Sequence, residues 1–150
     1  MSKRYRGIGV AVIVALIAVF IGTAHKKSPQ VAGFSRITLG SATFTAEIVD
    51  TEAKREQGLS GRASLANDRA MLFVFPVAGN YGIWMKDMQF AIDIVWINDQ
   101  MKISDIENSV KPDTYPEIFY PSENSRYVVE LSAGSVEKNK IKIGDTLKIW

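Results

Sequence analysis

The chain has no cysteine and a single histidine among its 150 residues. Without thiols there is no disulfide, no thiolate metal site and no cysteine nucleophile. The one histidine is His25. A zinc site built on imidazoles, or a Ser-His-Asp triad, therefore cannot be assembled within the chain. Most of the common hydrolase mechanisms are excluded with them. No carboxylate-rich loop has calcium-site spacing, because Asp50, Asp68 and Asp113 stand isolated. Repeats and low-complexity tracts are also lacking. The residues call for no cofactor and no metal.

Acid is missing from the first 27 residues. Lys3, Arg4 and Arg6 precede an uncharged run from Gly7 to Ala24, and His25, Lys26 and Lys27 follow it. At about 1.5 Å per helical residue this run spans roughly 27 Å, near the thickness of a bilayer core. It reads either as a signal peptide cut near Ala24, with Gly22 and Ala24 as the small residues, or as a retained single-span anchor. Its length favours the anchor. The basic residues before the span outnumber those after it, which places the following domain outside the cytoplasm. Cleavage would instead leave a secreted or periplasmic domain. Gly7-Ile8-Gly9 lacks a preceding strand and lies inside the span, so it is not a nucleotide loop.

The leader also explains the formal charge of +2. It holds five of the 18 basic side chains, which leaves 13 against 16 acids in the remainder, a net of −3. A mildly acidic domain is a poor partner for nucleic acid, since phosphate contacts need clustered Lys and Arg. About 120 residues remain after the leader, enough for one domain with one core.

Residues 28–35 read as a linker with Pro and Gly. The domain then runs over 36–150. Ile37 and Leu39, then Phe44, Ala46 and Ile48, alternate around a turn at Gly40-Ser41 and predict a hairpin. Asp50 or Thr51 caps a short helix that Gly58 ends. Met71 to Phe75 is a continuous apolar run that predicts a strand buried on both faces, stopped by Pro76. Further strands are expected over Tyr81–Met85, Ala91–Ile97, Lys102–Glu107, Arg126–Leu131 and Thr146–Trp150. Residues 108–125 read as irregular, and Ala133-Gly134 opens a short helical turn. Such a pattern implies a mainly β domain, β-rich α+β. It would form a compact antiparallel sandwich or partly closed barrel with one or two short helices.

Three groups of residues could carry chemistry. Arg55 and Arg62 flank a glycine-rich helix end, where guanidinium forks could hold a carboxylate, a sulfate or a sugar hydroxyl. They could equally pair with buried carboxylates or cap carbonyls. Trp84 and Lys86 share one side of an extended segment, with Met85 on the other. An aromatic plate beside an ammonium suits a sugar or an anion, and also suits a packed core with a snorkelling lysine. Asp93 and Glu130 stand in otherwise apolar strands and need partners, since buried carboxylates are costly. Lys86, Arg62 and Arg55 are the available cations. If both carboxyl groups faced one cleft they could act as an acid and base pair. The Pro- and aromatic-rich stretch 112–121 could serve as a ligand lid or cover a sheet edge.

Six segments together resemble the DUF192 family, also called UPF0127, a group of uncharacterised small prokaryotic domains. In order they are Arg55-x-x-Gly58-Leu59-x-Gly61-Arg62, Met71-Leu72-Phe73-x-Phe75, Trp84-Met85-Lys86, Ile92-Asp93-Ile94, Tyr127-Val128-Val129-Glu130-Leu131-x-Ala133-Gly134 and Gly144-Asp145. The resemblance covers about residues 36–150. This chain departs from the family habit at Ser60, where Met is usual, and at Asp87-Met88, where Asn-Thr is usual. The resemblance implies a compact, mainly antiparallel β domain, often exported, and supplies no activity.

These readings converge on a membrane-tethered extracytoplasmic domain that is not an enzyme. It would bind a small polar or anionic ligand, with a saccharide as one form, or an envelope partner. Arg55, Arg62, Trp84, Lys86, Asp93 and Glu130 are the candidate ligand-binding residues. Two alternatives stand beside it: an envelope hydrolase using Asp93 and Glu130, and a purely structural accessory domain.

Overall fold

The computed structural model describes residues 33–150. The leader, its apolar span over 7–24 and most of the linker lie outside the described residues. Strand β1 (Phe34–Leu39) pairs antiparallel with β2 (Ala42–Val49) around the predicted turn. Gly40 takes a φ of 58°, which the tight reversal requires. Helix α1 (Glu52–Gln57) follows, with Thr51 as its N-cap accepting from the Lys54 N–H at 3.4 Å. The Gly58 N–H donates to the Lys54 carbonyl and closes the helix.

Strand β3 (Arg69–Gly79) comes next, and it pairs parallel with β2. The α1 segment and the loop after it form the crossover that a parallel neighbour needs. The expected mainly antiparallel domain thus has one parallel strand pair. β3 also continues through Pro76, where a stop was predicted. Its register with the later strand Ser125–Ser132 shifts between Val74 and Gly79. A residue without an N–H is tolerated there because the ladder is already interrupted.

The remaining strands are β4 (Ile83–Trp84), β5 (Ile92–Ile97), β6 (Ile103–Val110), β7 (Ile118–Phe119), β8 (Ser125–Ser132) and β9 (Leu147–Ile149), with helix α2 (Ser135–Lys138) between the last two. β6 and β7 both enter the stretch expected to be irregular. Among the described residues, seven strands form one sheet in the order β6-β5-β8-β3-β2-β1-β9, and β4 pairs with β7 in a small second sheet. The large sheet curls until its two edges approach. Lys102 bridges Thr146, and the Ile103 N–H donates to the Asp145 carbonyl at 2.9 Å. The result is a curled half-barrel rather than a sandwich.

The central strands are buried on both faces, as the continuous apolar runs require. Ile37, Leu39, Phe44, Leu72, Val95, Val129 and Leu131 fill the inside of the curl. Met71, Phe73, Phe75, Met85, Ile94, Trp96 and Val128 form a second core on the outside. Among the described residues no helix is long and apolar enough to cross a membrane.

Candidate functional site

The small β4–β7 sheet and α1 face each other across the outer core. Between them runs a cleft of about 530 Å³. Phe73, Phe75, Tyr81, Ile83 and Trp84 line it together with Ile118 and Tyr120, and α1 contributes Glu52, Arg55 and Glu56. Glu56 and Trp84 also line an adjoining hollow of about 270 Å³, with Ser60, Lys86 and Asp87. Trp84 therefore stands at the junction of the two. It is 42% exposed, although its neighbour Met85 is sealed in the core.

Gly82 sets the wall of this cleft. A Cβ there would lie 2.5 Å from Ile118 Cγ2 and 2.6 Å from Tyr120 Cε1. Only glycine lets the aromatic strand cross so closely. The turn after α1 is latched to the segment following Trp84. Ser60 Oγ donates to the Lys86 carbonyl at 2.7 Å, and the Gly61 N–H donates to the Asp87 carbonyl at 2.9 Å.

The cations of the cleft and of the adjoining hollow are already placed on aromatic faces. The Arg55 guanidinium lies 5.1 Å from the Phe75 ring centre and donates to the Val74 carbonyl at 2.9 Å. That carbonyl is available because β2 stops pairing with β3 at Phe73. Phe75 in turn stacks on Tyr81. Lys86 Nζ lies 5.6 Å from the Trp84 ring centre, and Tyr115 meets Trp84 edge-on at 6.1 Å. Each contact of this kind stabilises by about 0.5–1 kcal/mol at exposed sites.

Arg62 belongs to a different cluster. It forms a two-pronged bond to Glu47, at 2.8 and 3.1 Å. The register places Glu47, Met71, Glu130 and Ile94 in one row across four strands, so all face the outer core. Glu130 is 5% exposed, and its Oε2 has no hydrogen-bond partner. Burial pushes its pKa up to about 8, against the opposing pull of Arg62.

Asp93 is in a third place. It pairs in register with Leu131 and is fully buried on the inside of the curl. The expected arginine or lysine partner is not what it meets. Its carboxyl group accepts from three backbone N–H groups: Ser109 at 2.8 Å, Gly134 at 3.1 Å and Val136 at 2.8 Å. It ties β5 to a bulge in β6 and to the first turn of α2. A hollow of about 330 Å³ beside it is lined by Asn108, Ser109 and Glu137. Asp93 and Glu130 thus lie on opposite faces of the sheet, so they cannot act as a pair on one bond.

Of the six candidate residues, the fold places Arg55 in the cleft and Lys86 in the adjoining hollow, with Trp84 lining both. Arg62 pairs with Glu47 elsewhere and acts on the buried Glu130 only through its charge, and Asp93 is a backbone staple. The sequence reading missed Glu52, Glu56, Phe75 and Tyr81 as cleft residues and Glu47 as the partner of Arg62. Glu56 follows Arg55 on a capped helix, and that placement was the available signal. Nothing local marks Glu47, because a parallel neighbour brings it into the row.

The profile of the DUF192 family, described as an uncharacterized ACR, matches residues 35–149. The chain belongs to the DUF192 family. Solved structures share its fold. A chain from Sinorhizobium meliloti 1021, whose description proposes a transcription regulator, is 30% identical with a TM-score of 0.74, covering 79% of this chain and 95% of that one. A protein of unknown function from Novosphingobium aromaticivorans DSM 12444 is 23% identical with a TM-score of 0.70, covering 78% of this chain and 84% of that one. No curated protein matches. The DUF192 domain here carries the six sequence signatures in a single fold, but it distributes their charged residues over three locations.

Proposed function

We propose that this DUF192 domain is a non-catalytic binding module, held outside the cytoplasm by its N-terminal span, whose cleft beside α1 takes a small neutral polyhydroxylated ligand of the saccharide type. The observation that carries the reading is Trp84, a half-exposed indole standing between two adjoining hollows. Ligand sites are concave, mostly apolar and furnished with a few convergent polar groups. This cleft has aromatic walls, with Glu52, Glu56 and Asn80 to meet hydroxyls. Its charges argue against an anion. Arg55 is engaged by Phe75 and the Val74 carbonyl, and two carboxylates line the same wall.

The tether is supported by the uncharged run from Gly7 to Ala24 and its basic flanks. The regulator description of the Sinorhizobium protein does not suit this chain, since 13 basic side chains face 16 acids after the leader.

The test is a glycan array probed with the full chain in detergent, followed by calorimetry on any glycan captured. Trp84→Ala is expected to weaken binding about tenfold or more, equivalent to about 1.4 kcal/mol. Lys142→Ala, on an exposed turn away from the cleft, is expected to leave it unchanged. Equal losses in the two variants, or no captured glycan, would remove the reading.

A further inference from the structure

The outward face of β9, β1, β2 and β3 has a composition unlike the rest of the domain. Ile37 and Leu39 point into the core, so alternation turns Phe34, Arg36 and Thr38 outward. Register sets Thr45 beside Arg36, Arg69 beside Thr45, and Lys148 beside Thr38. The ladder is continued by Trp150, whose N–H donates to the Arg36 carbonyl at 2.9 Å. Phe34 is 64% exposed and Trp150 71%. The Arg69 guanidinium lies 5.6 Å from the Phe34 ring centre. Arg36, Arg69 and Lys148 share this face with one acid, Glu47, which Arg62 already holds. The face is basic and aromatic on a domain that is acidic in sum.

Aromatic rings set among Lys and Arg suit the headgroup layer of a bilayer. The rings sit at the interface, and each cation is drawn to an anionic surface. The chain also limits where this face can go. Nine residues, His25 to Gly33, separate the apolar run from Phe34. Fully extended they reach about 30 Å. The start of β1 is therefore confined close to any membrane that holds the leader.

We propose that the Phe34–Trp150 face rests on the surface of the bilayer that carries the chain's own anchor, with both rings at headgroup level and Arg36, Arg69 and Lys148 against anionic lipid. The inference rests on the tethered reading above. It makes the tether a device that orients the domain as well as retaining it.

The three tryptophans allow a direct test. Trp96 is fully buried, so Trp84 and Trp150 report on the surface. The full chain is reconstituted into vesicles of phosphatidylcholine and phosphatidylglycerol with brominated acyl chains, and tryptophan quenching is read. Quenching is expected to persist in Trp84→Phe, to be lost in Trp150→Phe, and to fall when Arg36, Arg69 and Lys148 are all changed to Gln. An unquenched Trp150 in a chain that stays with the vesicles through an alkaline wash would overturn the proposal and leave the tether standing. Quenching that survives Trp150→Phe and vanishes with Trp84→Phe would put the cleft on the lipid and overturn it equally. Loss of the chain from the vesicles in the wash would overturn the tether and the orientation together.

Discussion

Glu130 lies buried within the electrostatic reach of Arg62, yet both prongs of the Arg62 guanidinium are engaged by Glu47, at 2.8 and 3.1 Å. The half-exposed carboxylate takes the cation and the buried one goes without a hydrogen-bond partner at Oε2. Burial therefore holds Glu130 protonated up to about pH 8. Between pH 4.5, the ordinary value, and 8, the unfolded chain loses this proton while the folded chain keeps it. The unfolded state then binds fewer protons, so stability falls as pH rises through that window. The slope from this one group is at most about 1.4 kcal/mol per pH unit. Glu130→Gln is expected to flatten that decline and to be more stable than the parent chain above pH 8. Thermal unfolding of both chains from pH 5 to 9 checks this, and parallel curves would show that Glu130 is not the titrating group.

The same cluster makes a prediction about its cation. Glu47→Gln should free Arg62 to favour the charged form of Glu130, and so lower the Glu130 midpoint. Arg62→Ala should remove the opposing pull and raise it. The stability cost of Glu47→Gln itself should be small, about 1 kcal/mol or less, because the pair is half-exposed and screened. Carbon-detected NMR titration of the Glu130 carboxyl reads both midpoints. Shifts in the same direction would break the proposed division of Arg62 between two acids.

Local signals in the sequence located most of the elements. The β1–β2 hairpin followed from strict alternation, and α1 followed from Thr51 and Gly58 at its ends. What was not legible depended on pairing between distant segments. The parallel β2–β3 neighbours bring Glu47 into register with Met71, and no local pattern announces a crossover. Pro76 read as a stop because the interruption of the β3–β8 ladder is a property of two strands at once. The candidate residues divided for a similar reason. Asp93 and Glu130 both looked like buried acids in need of a cation. Their faces were decided by register, which set Asp93 opposite Leu131 and Glu130 opposite Ile94.

Gly82 is expected to be the most sensitive position of the cleft that bears no side chain. An added Cβ would collide with Ile118 and Tyr120. Gly82→Ala should displace β7 from β4 and widen the cleft at a stability cost of about 1–3 kcal/mol, the usual range for overpacking. Fluorescence of Trp84, which shares the cleft with both displaced residues, should shift while the fully buried Trp96 does not. A Gly82→Ala chain with unchanged Trp84 emission and unchanged melting would mean that the two side chains yield freely.

Asp93 makes the opposite demand from Glu130, though the two stand on adjacent strands. Register in β5 and β6 jumps between Ile92 and Ile94, and Ser109 adopts a φ of 53° opposite that jump. The Ser109 N–H would be left without a ladder partner there, and the Asp93 carboxyl supplies one. The Gly134 and Val136 N–H groups, at the start of α2, would be orphaned in the same way. Asp93→Asn keeps one acceptor oxygen and turns an NH₂ toward amides that are themselves donors. Each lost bond to a charged acceptor costs about 1.5–3 kcal/mol, so Asp93→Asn should lose about 2 kcal/mol or more and Asp93→Ala should lose more still. Urea unfolding of the full chain in detergent measures both. Hydrogen exchange at Ser109 and Val136 should accelerate in Asp93→Asn ahead of exchange in β1 and β2. If Asp93→Asn unfolds within about 0.5 kcal/mol of the parent chain, the range expected of a surface change, then the three amides find other acceptors and the staple is dispensable.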